Sequence, residues 1–151
     1  MKRIVVDTNN AFSTFINLSI HISQILLNGA KHYDFYSPEY MRYELIEHKE
    51  RIKTIGKLNE EKFLELYGLI LSNVRILNHS IIPNKFYQSA LEICQQIDID
   101  DTPFVAVNDF VGGKLWTGDV KLVNGLIAKG YSKTITTNEL YTDFLQFENQ
   151  K

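Results

Sequence analysis

Ile4-Val5-Val6-Asp7-Thr8-Asn9 decides how the rest of the chain is read. Three β-formers in a row, apolar on both faces, describe a buried strand, and Asp7 marks where it ends. A strand that buries both faces is usually the central strand of a parallel sheet with helices on each side. In such sheets ligands bind in the crevice beyond the carboxyl ends of the strands. Asp7 is therefore expected at that rim. Thr8 and Asn9 begin the following helix, where small polar side chains cap well. Taken alone, Asp7 reads equally well as a residue that only caps or turns the chain. Other acids in equivalent places shift that balance.

Outward from this strand, helical and strand periodicities alternate. The first helix is expected from about Asn9 to Asn28, with Ser13, Asn17, His21, Gln24 and Asn28 as its polar stripe and Gly29 as its C-cap. Its remaining surface is apolar (Phe12, Phe15, Ile16, Leu18, Ile22, Leu26), wide enough to cover a sheet and leave some for a second subunit. Asp34–Ser37 reads as a second strand. Ser37-Pro38-Glu39 then opens a helix, with Ser37 as N-cap and Pro38 at the first helical position. Met41, Leu45, His48 and Ile52 form its inward face, with Glu44 beside them. A half-buried Glu without a partner is costly unless something neutralises it. Lys49, Arg51, Lys53 and Lys57 are either a solvated face or a basic edge that meets a ligand.

Asn59 opens a helix with Phe63, Leu64, Leu66, Tyr67 and Ile70 to bury, and Asn73–Leu77 is a third strand. Pro83 starts a helix on which Tyr87, Ala90, Leu91, Cys94 and Ile97 keep apolar spacing, so Cys94 reads as core. Asp101 is placed as N-cap of a helix containing Phe104, Val105, Ala106 and Phe110. Lys114–Thr117 is a fourth strand, followed at once by Gly118 and Asp119, with a helix from Val120 to Lys129. Lys133–Thr136 is a fifth, and Thr136 and Glu139 have capping-box spacing for a last helix.

The chain has 151 residues, 44% apolar and 23% charged, which fits one globular domain over residues 1–151. A net charge of −2 provides no global basic field, so a nucleic-acid ligand would need a local patch. Cys94 is the only cysteine, which excludes an internal disulfide and a cysteine zinc cluster. No signal peptide or membrane-length apolar run is visible, and a cytoplasmic protein is expected.

Asp7 and Asp119 both follow parallel strands and so face one crevice. The helix beginning at Asp101 reaches the same rim if it packs beside the central strand, and Glu44 lies on the inner side of its helix. Two carboxylates about 4 Å apart repel by about 4 kcal/mol at an effective dielectric of about 20. Four in one pocket make sense around a divalent cation, and oxygen-only ligands suit Mg²⁺ or Mn²⁺. Mg²⁺ held this way keeps waters and pairs with substrate phosphate, which points to phosphodiester chemistry. There is no GxxxxGK loop, no GxGxxG after the first strand and no nucleophile elbow. His21, His32, His48 and His79 lack zinc-ligand spacing.

At this point the chain resembles PIN-domain proteins, on IVVDTN at Ile4–Asn9, SPEYMRYEL at Ser37–Leu45, DDTPFVA at Asp100–Ala106 and LWTGDVKL at Leu115–Leu122. No one of these is specific; their order and spacing span nearly the whole chain. The resemblance implies a three-layer α/β/α sandwich around a five-stranded parallel sheet. It also implies a metal-dependent ribonuclease, such as the VapC-type toxins of toxin–antitoxin pairs. The family's acids fall on Asp7, Glu44, Asp101 and Asp119, and Thr8, Asn9 and Thr117 match supporting positions. Asp98 and Asp100 are alternatives in that register. Some members carry a further acid after the Thr-x-Asp motif. Here Val120 and Lys121 follow, which implies one firmly held ion and a second weak one.

The resulting expectation is a Mg²⁺/Mn²⁺-dependent endoribonuclease with Asp7, Asp101 and Asp119 as ligands. Glu44 would be a further ligand or orient the attacking water. An antitoxin and a second copy of the chain are the expected protein partners. The alternative is a PIN fold used only to bind RNA or protein.

Overall fold

The computed structural model describes residues Met1–Gln150. Strand β1, Lys2–Val6, lies at the middle of a sheet. Its neighbours are β2 (Tyr33–Pro38) and β4 (Lys114–Trp116), with β3 (Val74–Leu77) and β5 (Thr134–Ile135) at the edges. All pairings are parallel, in the order β3-β2-β1-β4-β5. Val5 stands opposite Tyr36 on one side and Leu115 on the other. Ile4, Val5 and Val6 are all buried, as a strand covered on both faces requires.

Helices cover both faces, making a three-layer α/β/α sandwich. On one face α7 (Thr102–Val111) packs directly on β1, β2 and β4, and α6 (Asn84–Cys94) packs on α7. On the other lie α1 (Thr8–Ile16), α2 (His21–Asn28), α5 (Glu60–Asn73) and α9 (Thr137–Glu148). Helices α3 (Glu39–Glu47) and α4 (Lys49–Gly56) follow β2 on the α1 side. Helix α8 (Val120–Ala128) follows β4; a Cβ at its Gly125 would stand 2.8 Å from Ile97, so only glycine lets the two meet. Cys94 is buried in the core, and the capping box of Thr136 and Glu139 starts α9.

Several expectations are corrected. The helix from Asn9 to Asn28 is two helices, broken where Asn17 turns extended. The Asn17 side chain accepts from the N–H and hydroxyl of Ser19, and its carbonyl accepts from the Ser23 hydroxyl. Such local bonds compete with the helix ladder. Ser37 does not cap a helix: β2 runs on through Pro38, and the Ser37 hydroxyl donates to the Val6 carbonyl at 2.9 Å. His48 is exposed, because the helix stops there and restarts at Lys49. Gly29 does cap the second of these helices, as expected, in a right-handed conformation, and a Cβ there would meet the Phe35 ring at 3.1 Å. Of the apolar surface expected on the first helix, Phe15 and Leu26 are buried and Phe12 and Ile22 pack against the core, while Ile16 and Leu18 stay exposed.

The candidate functional site

The strand order reverses at β1: β2 and β3 lie to one side of it, β4 and β5 to the other. The crevice beyond the carboxyl ends at such a switch point is where ligands enter parallel sheets. Asp7 follows β1 directly, and Thr117, Gly118 and Asp119 follow β4.

The two strand ends are laced together. The Asp7 N–H and the Asn10 side-chain amide both donate to the Trp116 carbonyl, at 3.3 and 2.8 Å. The Thr117 hydroxyl donates to Asp7 Oδ2 at 2.7 Å and accepts from the Asp119 N–H at 3.1 Å. Asp119 Oδ1 in turn accepts from the Leu122 N–H and caps α8. Glu44, on α3, accepts from the Thr8 hydroxyl at 2.7 Å. Asp7 is thus only 7% exposed yet held from several directions.

Asp101 is not the side-chain cap of α7. It closes a short 3-10 turn, Ile99–Asp101, and Asp98 caps that turn by accepting from the Asp100 N–H. The Asp101 carboxyl is left without that duty, and its Oδ2 is buried with no hydrogen-bond partner. Of the two alternatives, Asp98 is therefore occupied by the turn, while Asp100 is exposed and its charge is felt at Glu44.

Burial raises Asp101 to about 7, and the charges of Asp7, Asp98, Asp119 and Glu44 push the same way. Asp7 is also raised, chiefly by burial, against the lowering effect of Thr117 and of the Asn9 N–H. Glu44 is raised by burial and by Asp7 and Asp100. Among the described residues none of Asp7, Glu44, Asp101 or Asp119 is in an ion pair. Nor do three or more His, Cys, Asp or Glu side chains form a ready-made ion-binding group among those residues. The donors themselves fit a hard cation: they are oxygens only, they are acidic, and one buried oxygen lacks any partner.

Thr8 and Thr117 hold carboxylates through their hydroxyls, whereas Asn9 is exposed and reaches Asp7 with its backbone N–H. Two residues escaped the sequence reading. Asn10 is 2% exposed and ties the first turn of α1 to β4, and Ser37 ties β2 to the end of β1. Asn10 carried no distinguishing signal: three residues before Ser13 and seven before Asn17, it falls on the same polar stripe. The basic run offers less than its composition suggested, since Lys49 and Lys53 both pair with Glu60 and Arg51 lies over the Phe12 ring.

The sequence pattern described as PIN domain matches residues 5–143. No curated protein matches the chain. Among solved structures the fold is similar to that of PAE2754 from Pyrobaculum aerophilum. That likeness has 14% identity and a TM-score of 0.66, and covers 96% of this chain and 90% of that one. No helix among the described residues is long and apolar enough to cross a membrane.

Proposed function

The chain belongs to the PIN domain family, and on that premise we propose that it is an endoribonuclease dependent on Mg²⁺ or Mn²⁺. The observation that carries the reading is the Asp101 carboxyl, partly buried, unpartnered at Oδ2 and surrounded by the charges of four further acids. A carboxyl kept in that state costs stability, and a cation offsets the cost.

Asp7, Asp101 and Asp119 would hold the ion, directly or through water. When bound, it supplies an acidified water and charge compensation for a phosphodiester under attack. Thr117 fixes the rotamer of Asp7. Thr8 turns Glu44 towards the same crevice, where Glu44 would complete the ligand set or orient the attacking water. Asp101, raised to about 7 by burial and by its acidic neighbours, would give up its proton to serve as a ligand. No histidine is required as base.

The test is labelled single-stranded RNA with Mn²⁺ or Mg²⁺, then with EDTA. Cleavage only with metal is expected. Equal cleavage in EDTA, or none with either metal across several RNAs, overturns the reading; RNA bound but never cut would make this a binding module. The family resemblance extends the proposal to a cytoplasmic toxin restrained by a small antitoxin protein. Expression harmless to host cells without a partner would remove the toxin role and leave the nuclease. A homodimer is proposed on the part of the first helical segment that stays uncovered, Ile16 at 38% and Leu18 at 46% exposure. A 17.5 kDa species in light scattering at micromolar concentration would sink it.

A further inference from the structure

A second feature of the same rim is not explained by the acids. Beyond the carboxyl ends of β2 and β3 lies a cavity of about 270 Å³ walled by Tyr40, Tyr43, His79, Tyr87 and Pro103, with Glu39 at its edge. Its walls come from α3, the segment after β3, α6 and the start of α7. His79 lies over Tyr87 with ring centres 4.3 Å apart, and Tyr40 leans towards Tyr43 at 6.1 Å. Tyr43 is 65% exposed, an unusual place for a large ring with no core to fill. On the far side of Tyr87, His79 and Pro103 a further hollow continues between α6 and the 3-10 turn.

The cavity adjoins the acids. Tyr40 is one helical turn before Glu44, and the charges of Glu44 and Asp100 are felt at its hydroxyl. Pro103 is two residues after Asp101. With strands about 5 Å apart, the ends of β2 and β3 stand about 5 and 10 Å from that of β1.

We propose that this aromatic cavity seats one unpaired nucleobase of a single-stranded RNA whose neighbouring phosphate lies at the acids. The inference rests on the ribonuclease reading for the identity of the strand. The walls select the occupant. No lysine or arginine is among these residues, and Glu39 is an acid whose carboxylate accepts from the backbone N–H of His79 at 3.1 Å. A phosphate is therefore unwelcome, whereas a neutral flat base gains from ring faces whatever its sequence. Tyrosine hydroxyls and the Glu39 carboxylate accept from base N–H groups. The volume sits at the small end of ligand pockets, suited to a ring system rather than to a helix. Single-stranded RNA is recognised through splayed bases stacked on aromatic side chains.

The test measures binding in EDTA, so that no cleavage is needed. Single-stranded RNA hexamers carry 2-aminopurine at one position, whose fluorescence is quenched on stacking. The full chain should quench at least one position strongly, and the matching duplex hardly at all. Tyr43→Ala, on an exposed position that does not hold the fold, should weaken binding about tenfold and reduce that quenching. His79→Ala, also exposed, should do the same. Equal affinity and quenching in the native chain and both variants, or equal quenching by duplex, overturns the proposal and leaves the cavity to a protein partner. If the native chain stacks the base but cuts no RNA with any metal, the nuclease reading fails and the base site stands. If it cuts RNA and the variants bind as the native chain does, the base site alone fails.

Discussion

Carboxylates at the two ends of the sheet live under opposite conditions. At the amino end, Asp143 accepts from Lys2 at 2.9 Å and from the Tyr33 hydroxyl at 2.7 Å. Asp109 there meets Lys133 and Tyr131, and Asp34 meets Arg75. At the carboxyl end, Asp7, Glu44 and Asp101 receive, among the described residues, hydroxyls, amides or nothing, and no cation within ion-pair distance. The consequence is read in their titration. Burial would raise Asp143, but Lys2 and Tyr33 outweigh it and hold the carboxyl below its ordinary value. Burial raises Asp101 to about 7 with nothing to oppose it. At one end the carboxylates are paired within the chain; at the other, the buried Asp101 Oδ2 has no hydrogen-bond partner.

The largest break in this contrast is chemical. Asp7→Asn keeps the shape and an acceptor for Thr117 but loses the charge. RNA cleavage in Mn²⁺ should fall at least about a hundredfold, since metal-assisted attack accounts for several kcal/mol of barrier. Circular dichroism should be unchanged. A near-native rate would remove Asp7 from the site.

Metal removal gives the next effect. An ion at a hundredfold excess over Kd stabilises by about 2.7 kcal/mol, roughly 5–10 °C for a chain of this size. Millimolar Mn²⁺ should raise the melting temperature of the native chain by that order, and much less in Asp119→Asn. In EDTA the variant should melt no lower than the native chain, because Asn caps α8 about as well as Asp and one repelling charge is gone. Equal metal shifts in both proteins would exclude Asp119.

A smaller effect follows pH, with opposite sign at the two ends. Asp101 is raised to about 7 in the folded chain and titrates at about 3.9 when unfolded. Its contribution is fully present below the unfolded value and is lost as pH rises through the folded one. In EDTA, Asp101→Asn should therefore gain stability over the native chain between about pH 4 and 7. Asp143 is lowered, so its contribution is present above the unfolded value and is lost as pH falls through the folded one. Asp143→Asn should thus differ most from the native chain near neutrality and least in acid. Melting curves across pH 3–8 (about five points) check both signs. A native–Asp101→Asn difference independent of pH would refute the burial of that carboxyl.

The smallest effect belongs to Lys2→Met. Its ion pair with Asp143 is largely exposed on the lysine side, so urea unfolding should show a loss below about 1 kcal/mol. A loss of several kcal/mol would mean that the amino end depends on that pair far more than its exposure suggests.

Much of this was legible in the chain itself, because the signals are local. Ile4-Val5-Val6 can only be a buried strand, and an acid that follows it must stand at its end. Thr136 and Glu139 spell a capping box within four residues, and it forms. Alternating periods separated by short turns imply a parallel sheet with two helical layers. The same locality explains the failures. Asp101 takes the N-cap position of α7 that its adjacency implied, but its side chain makes no cap hydrogen bond, while Asp98 caps the preceding turn. Asn17 looked like one more polar position on a helix until its side chain captured Ser19.

Tertiary structure alone decided which groups meet. Thr117 reaches Asp7 across 110 residues, and Asn10 reaches Trp116 across 106. Those contacts exist because the strand order places β4 beside β1. The aromatic cavity draws on four elements that no window of sequence contains. Which acids obtain a cation is likewise a matter of position: Lys2, Arg75 and Lys133 all reach acids away from the rim. Periodicity and capping act over a few residues and can be read off the chain. Electrostatic pairing acts through space, and only the folded sheet says which charges share it.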